Sequence, residues 1–156
     1  MSRKKQYYKT IILNDPKFGS YIIAKFINYI MKNGKKNLAQ KIFYYSINII
    51  SIKLNKNPFF IIKKILYNVQ PNFEIKKKKI GGTIYQIPFK INLKRSLMFS
   101  MKWIVKNSKK RNENGYKNKL VGELIDSYYN NSLSTKQKDE LNNKTEQNKA
   151  YSNFKI

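Results

Sequence analysis

The side chains in this sequence that could do chemistry are almost entirely lysines. The chain contains no cysteine and no histidine, which rules out a disulfide framework, a Cys/His zinc site, a thiol nucleophile and imidazole acid-base catalysis. Of the eight acidic residues, only Glu123 and Asp126 lie close at helical spacing, and a solvated or capping role suits them better than catalysis. The segment Gly34-Lys35-Lys36 lacks the other residues of a phosphate-binding P-loop. We therefore expect no enzymatic activity, no cofactor and no metal site.

The charge of the chain predicts a polyanionic partner. With 33 Lys and Arg against 8 Asp and Glu, the formal net charge is +25, and an isolated compact chain of that charge repels itself. Nucleic acid suits this charge better than a membrane, because no stretch approaches the roughly 18 apolar residues of a spanning helix. On these grounds an architectural DNA-binding protein and a basic membrane-surface protein stay open beside RNA binding.

The lysines are most concentrated in residues 71–90, where the sequence period changes from helical to two. Alternation on both sides of Gly81-Gly82 predicts two strands, and the glycines supply the positive φ angles of a tight hairpin turn. Four lysines, residues 76–79, adjoin the turn and would repel one another over a core. We expect the hairpin tip to leave the protein and lie on a polyanion, with Tyr85 and Gln86 beside it. Protection of an exposed strand edge by lysines is the simpler alternative.

Helical patterns flank this hairpin on both sides. The predicted order is a basic arm (1–18), a helix capped by Ser20, a helix over 37–54, a helix capped by Asn57, the hairpin, a helix opened by Lys94 and Arg95, a helix after the turn at 112–115, and a polar helix and tail over 134–156 with Ser134 as its cap. We expect a mainly α fold, a single domain over 1–156 of about six helices with a protruding β-hairpin between the third and fourth.

Two of these helices carry specific expectations. The inward side of the second helix is predicted to hold Leu38, Ala39, Ile42, Phe43, Ser46, Ile49, Ile50 and Leu54. In the sixth, the capping box pairs Ser134 with Gln137, and only Leu141 is clearly apolar between Thr135 and Lys149. That helix is therefore predicted to project or to pack thinly.

The order of these motifs resembles one family, the universal small-subunit ribosomal protein seven in its bacterial and organellar form. The matching segments, spread over nearly the whole chain, are DPKFGS at 15–20, AKF at 24–26 with Asn28 and Met31, GKK at 34–36, Pro71 with Glu74 and Lys76, GGT at 81–83, YQIP at 85–88, WIV at 103–105, Glu123-Leu124 with Asp126, and NKA at 148–150.

The resemblance implies six helices with a hairpin and a structural role in the small ribosomal subunit. It implies primary binding to small-subunit rRNA, with nucleation of the head through the 3′ major domain. It places the protein near the exit-site tRNA and the mRNA exit channel, beside neighbouring head and platform proteins. Neither a membrane partner nor a homo-oligomer is implied.

Site residues follow from the same resemblance. Residues implied to contact rRNA are Arg3, Lys4, Lys5, Lys17, Lys35, Lys36, Lys76, Lys78, Gly81, Gly82, Lys94, Arg95, Lys102, Lys109, Lys110 and Arg111. Residues implied to lie near tRNA or mRNA are Lys79, Thr83, Tyr85, Lys149, Tyr151 and Phe154. The chain departs from the family where lysine replaces arginine, which keeps the charge but loses the planar guanidinium fork, and where Ile156 replaces the usual terminal tryptophan.

The composition also bears on the compartment. Only three of the 33 basic residues are arginines, and the chain is rich in residues with A/T-rich codons, namely Lys, Asn, Ile, Tyr and Phe. We therefore expect the ribosome of an organelle with an A/T-rich genome, of plastid or apicoplast type rather than mitochondrial. A bacterial cytoplasm is the alternative.

Overall fold

The computed structural model of the protein describes residues 12–154, so the predicted contacts at Arg3, Lys4 and Lys5 lie outside the described residues. The helices and strands within that range, in chain order, are α1 (Tyr21–Ile30), α2 (Lys36–Leu54), α3 (Pro58–Val69), β1 (Phe73–Ile80), β2 (Thr83–Lys90), α4 (Leu93–Ser108), α5 (Tyr116–Tyr128), α6 (Leu133–Gln147) and a C-terminal 3-10 helix (Lys149–Phe154). The predicted fold class is confirmed. No helix between residues 12 and 154 is long and apolar enough to cross a membrane.

The apolar core is built by α1 to α5. Its aromatic centre is the pair Phe26 and Phe43, whose rings lie 5.4 Å apart in an edge-to-face arrangement. On α3 the buried residues follow one helical stripe, which consists of Ile61, Ile62, Ile65, Leu66 and Val69. In α5 the pattern also holds, because Leu120, Val121, Leu124 and Tyr128 join the same cluster. Neither the hairpin nor α6 contributes a residue to this cluster.

The buried face of α2 differs from the prediction. Leu38 is 52% exposed, whereas Ile47, absent from the predicted face, is 1% exposed. The buried residues are Ala39, Phe43, Ser46, Ile47 and Ile50. Apolar residues surround α2 on more than one side, so its period does not decide which stripe packs against α1 and α5. Tertiary contacts make that choice.

The local signals around α3 and the hairpin behave as predicted. Asn57 caps α3, because its side chain accepts a hydrogen bond from the Phe59 N–H at 2.9 Å. Ser20 stands at the N-cap of α1 but makes no side-chain capping bond. In the hairpin, Gly81 and Gly82 have φ angles of 56° and 89°, which allow the chain to reverse between the paired residues Ile80 and Thr83.

The segment that leads into α1 is anchored on α2 by a buried carboxylate. Asp15 is 2% exposed and accepts the Tyr44 hydroxyl at 2.6 Å, together with the backbone N–H groups of Lys17 and Phe18 at 3.2 and 3.0 Å. Burial, together with this hydrogen bond to Asp15, raises the pKa of Tyr44 to about 12. The turn at residues 16–18 is thereby tied to the core.

The start of α6 corrects the predicted cap. Ser132, not Ser134, is the N-cap residue, and its hydroxyl oxygen accepts a hydrogen bond from the Thr135 N–H at 3.1 Å. Ser134 is the second residue of the helix and is completely buried. Its hydroxyl and backbone N–H donate to Glu123 Oε1 at 2.6 and 3.3 Å, so the carboxylate of α5 caps α6. The capping role predicted for Glu123 is therefore correct, but this side chain is not solvated.

Further polar contacts hold α6 against the core. Asn107 of α4 donates through Nδ2 to the Ser134 hydroxyl and to Gln137 Oε1, both at 3.1 Å. The buried side chains of α6 are Ser134, Thr135 and Thr145. The helix packs against α3, α4, α5 and β1, so the expectation of a projecting or thinly packed helix is wrong. Small polar side chains allow close approach here without an apolar face.

We expect the Asp15–Tyr44 bond to give the protein a measurable alkaline instability. Because the folded-state pKa of Tyr44 is raised from 10.0 to about 12, unfolded chains lose this proton at lower pH than folded ones do. The stabilisation is fully present below pH 10 and is lost as the pH rises through about 12. The free energy of unfolding, measured by urea denaturation, should therefore fall less steeply between pH 10 and about 12 in Tyr44→Phe than in the unmodified protein. Identical slopes in both proteins would contradict the assignment.

A second prediction concerns the cap of α6. Glu123→Ala should lower the free energy of unfolding by about 2–4 kcal/mol in urea denaturation, because the Ser134 donors lose their buried acceptor. Asp126→Ala is the matched control on the same helix. Its carboxylate is 38% exposed and also binds Arg111, so the expected cost is below about 1 kcal/mol. Equal costs for the two variants would show that the cap does not hold α6.

Candidate nucleic-acid interface

The outer half of the hairpin presents lysines to solvent. Lys77 and Lys79 point to one side of β1 and are exposed, and their cross-strand partners Gln86 and Ile84 are exposed as well. The opposite side turns towards the protein, where Ile87 is fully buried. Lys76 and Lys78 lie on this second side too, Lys76 exposed and Lys78 half-buried, so lysines occur on both sides of the hairpin.

An ion-pair cluster fixes the base of the hairpin on α4. Glu74 Oε2 accepts a hydrogen bond from Arg95 Nε at 2.7 Å, and Glu74 Oε1 lies 3.2 Å from Lys76 Nζ. Burial alone would raise the pKa of Glu74, but the hydrogen bonds from Arg95 and Lys76 hold the pKa below its ordinary value. The Arg95 guanidinium also lies 5.4 Å from the ring of Phe99. Two of the predicted RNA contacts thus share one carboxylate, which orients them.

A groove runs between β2 and the C-terminal segment. The rings of Tyr85 and Tyr151 lie 5.3 Å apart across it, and its volume is about 540 Å³. Residues lining the groove are Thr83, Ile84, Tyr85, Gln86, Lys144, Gln147, Asn148 and Tyr151. The structure therefore brings together predicted residues from two separate parts of the sequence, Thr83 and Tyr85 of β2 and Tyr151 of the C-terminal segment. Lys149, two residues before Tyr151 in the chain, is exposed.

Sequence reasoning missed part of this groove. Lys144, Gln147 and Asn148 lie on it with Tyr151, at spacings of three, four and seven residues from Lys144. That spacing places side chains on one face of a helix and could have revealed them. The predicted residue Phe154 falls at the end of the 3-10 helix, where only its backbone is described.

A second cationic surface forms where the α1–α2 connection meets the end of α4. Lys32, Lys35 and Lys109 surround a cavity of about 270 Å³. Its wall includes Ile42 and Tyr116, and burial raises the pKa of Tyr116. The structure thus places Lys35 and Lys109, predicted separately, at one site. The neighbouring Lys36 and Lys110 are exposed.

The remaining predicted contacts differ in how freely they face solvent. On α4, Lys94 and Lys102 are exposed. Lys17 is also exposed, and its ammonium lies 5.2 Å from the ring of Tyr44. Arg111 is turned inward: its guanidinium contacts Glu113 and Asp126 at 2.7 and 2.6 Å and Glu123 at 3.4 Å. Hydrogen bonds to Glu113 and Asp126 raise the pKa of Arg111, and these carboxylates neutralise its charge within the protein.

Few cations are neutralised inside the structure. Between residues 12 and 154, the ion pairs involve Lys76, Arg95 and Arg111, and the other lysines there form none. The exposed ammonium groups around the groove and the cavity can bind phosphates by charge. Tyrosine rings and amides can contact bases.

Comparison with known proteins agrees with the family that the motifs predicted. A sequence model described as Ribosomal protein S7p/S5e matches residues 2–149. The "Small ribosomal subunit protein uS7" of Carsonella ruddii (strain PV) is 89% identical over 156 residues and covers 100% of both chains. Proteins of the same name from Geotalea daltonii and Xylella fastidiosa (strain M23) are 36% and 39% identical over 155 residues, which is 99% of each chain. The family is structural and non-enzymatic. The chain therefore belongs to the ribosomal protein S7p/S5e family, as the order of its motifs predicted.

Proposed function

We propose that this protein is a structural constituent of the small ribosomal subunit, where it binds rRNA as a primary assembly protein and nucleates folding of the head. The observation that carries this proposal is the match to the family over almost the whole chain, with relatives named as small-subunit proteins. The net charge of +25 and the exposed lysines of the hairpin support RNA as the partner.

The mechanism we propose separates a rigid core from its cationic surfaces. Core helices hold the hairpin, the cavity around Lys35 and the outer face of α4 in fixed relative positions, and each surface takes part of a folded RNA. Phosphate contacts supply affinity, and bases at loops or bulges supply specificity. The proposed rRNA contacts are Arg3, Lys4, Lys5, Lys17, Lys35, Lys36, Lys76, Lys78, Gly81, Gly82, Lys94, Arg95, Lys102, Lys109 and Lys110. Arg111 is left out because its guanidinium binds three carboxylates.

The groove between β2 and the C-terminal segment is the surface we assign to tRNA and mRNA. Thr83, Tyr85 and Tyr151 line it, and Lys79 and Lys149 are exposed close by in the chain. Paired tyrosine rings and amide groups suit a strand whose bases are accessible. On this proposal the protein lies near the exit-site tRNA and the mRNA exit channel, beside other head and platform proteins.

For the compartment, the bacterial alternative is the better proposal. The relatives reported above are bacterial, and one of them, from Carsonella ruddii, is 89% identical to this chain. Nothing in these relatives favours a plastid. We therefore propose a bacterial ribosome, for which a genome rich in A and T explains the excess of lysine, asparagine and isoleucine equally well.

Specific binding to rRNA is the first test. In filter binding at about 0.2 M salt, the full chain should prefer the head domain of its own small-subunit rRNA over a scrambled RNA of equal length by about tenfold or more. A random duplex DNA is the second competitor. Equal affinity for all three nucleic acids would mean that charge alone drives binding, and would overturn the assembly role.

The contribution of the hairpin is tested with a charge-matched pair of variants. Lys76→Gln with Lys78→Gln removes two of the proposed rRNA contacts on the hairpin, and Lys41→Gln with Lys117→Gln removes two exposed charges elsewhere. The hairpin variant should lower the slope of log affinity against log salt by about 1.4–1.8, the value for two phosphates. The control should lower it much less. Equal changes would remove the hairpin from the mechanism.

A further inference from the structure

Two lysines, one from the α2–α3 turn and one from α3, converge on one tyrosine at the C-terminal end of α5. Lys56, just after α2, places its Nζ 3.0 Å from the Tyr128 hydroxyl oxygen. Lys64 of α3 places its Nζ 4.1 Å from the centre of the same ring. Tyr128 itself is only 7% exposed, whereas both lysines are exposed. A buried phenol thus carries two exposed cations.

Other lysine–tyrosine contacts in the described part of the chain are simpler. Lys117 lies over Tyr45 at 5.3 Å and Lys25 over Tyr21 at 5.4 Å, one ammonium for each ring. Lysines that share a ring repel each other unless an anion lies between them. Neither Lys56 nor Lys64 forms an ion pair within residues 12–154. The charge of this pair is therefore left without a counterion from the described chain.

The hydrogen-bond pattern leaves donors facing outward. Lys56 donates to the phenol oxygen, so the phenolic hydrogen stays available for an acceptor. The positive potential at the ring is visible in its acidity, because the hydrogen bond from Lys56 and the charges of Lys56 and Lys64 hold the pKa of Tyr128 below its ordinary value. Two ammonium groups and one hydroxyl can together donate to the oxygens of one tetrahedral oxyanion.

We propose that Lys56, Lys64 and Tyr128 form a phosphate-binding site that takes the backbone of an RNA strand. The neighbouring side chain points to RNA rather than to an acidic protein segment. Tyr129 is 57% exposed, and its ring stands edge-on to that of Tyr128, with centroids 5.3 Å apart. An exposed aromatic face beside a bound phosphate is placed to stack on the adjoining base.

This site is separate from the surfaces assigned above. It is built from the α2–α3 turn, α3 and the end of α5, whereas those surfaces use the hairpin, α4, the α1–α2 connection and the C-terminal segment. It rests on the proposed function only in taking RNA as the source of the phosphate. A protein with this additional site holds two RNA segments at once and fixes the distance between them.

The test compares two charge-matched variants of the full chain. Lys56→Gln with Lys64→Gln removes the site, and Lys41→Gln with Lys117→Gln removes two other exposed lysines, one of them over a single tyrosine. Tyr128→Phe keeps the ring and both cations but removes the hydroxyl. The first probe is a labelled single-stranded oligouridylate, whose binding is measured by fluorescence anisotropy from low to high salt. The second probe is inorganic phosphate. Its effect is the rise in Tm relative to chloride at equal ionic strength.

We expect the site variant to lower the salt slope for the oligonucleotide by about 0.7 more than the control does, the contribution of one single-strand phosphate. Its rise in Tm with inorganic phosphate should be smaller than that of the control, and Tyr128→Phe should give an intermediate loss in both assays. Slopes and Tm shifts equal to those of the control would overturn the proposal.

Two other outcomes also decide against the proposal. Loss of the phosphate effect with unchanged oligonucleotide binding would exclude RNA as the source. If the site variant loses only its binding to an oligoglutamate peptide and keeps its binding to the oligonucleotide, the site belongs to an acidic protein partner. None of these results depends on the preference for cognate rRNA, so failure of this site and failure of the assembly role are distinguishable.

Discussion

The buried carboxylate of Glu123 is the contact on which the functional surfaces depend. The apolar core closes without α6, which has only one clearly apolar side chain along most of its length. Glu123 caps that helix, and Asn107 adds hydrogen bonds from α4. The helix in turn packs on β1, and the 3-10 helix that follows packs on β2. The direction of the hairpin is therefore set both by these contacts of α6 and by the ion pairs of Glu74 at the base of the hairpin.

Arginine and lysine are used for different purposes in this chain. The two arginines among the described residues both bind carboxylates, Arg95 at the base of the hairpin and Arg111 between α4 and α5. A planar guanidinium suits such fixed pairing, because it donates several hydrogen bonds in set directions. Most lysines stay free in solvent, where a mobile ammonium group can follow a phosphate backbone. Arg111 thus serves the scaffold alone, whereas Arg95 and Lys76 pair with Glu74 and are also proposed rRNA contacts.

Much of the fold was predictable from local signals, and the failures have a common cause. The hairpin follows from alternation around Gly81-Gly82, and α3 follows from its cap and its single apolar stripe. On α2 several apolar stripes compete, so the period could not identify Ile47 as buried. The groove, the cap by Glu123 and the pairing of Lys56 with Tyr128 join side chains distant in sequence. Spacing could have placed Lys144, Gln147 and Asn148 on one helix face, but only the fold shows which distant side chains each polar group meets.

The order of the elements along the chain has a consequence for synthesis. Helices α1 to α5, which make the core, are complete at Tyr128, whereas α6 and the 3-10 helix occupy the last part of the chain. A protein made from its N-terminus can close its core while those residues are still inside the exit tunnel. At that stage the hairpin has been synthesised but still lacks α6 and the 3-10 helix, against which it packs. Its final orientation is reached only after α6 and the 3-10 helix have been made and have packed on β1 and β2.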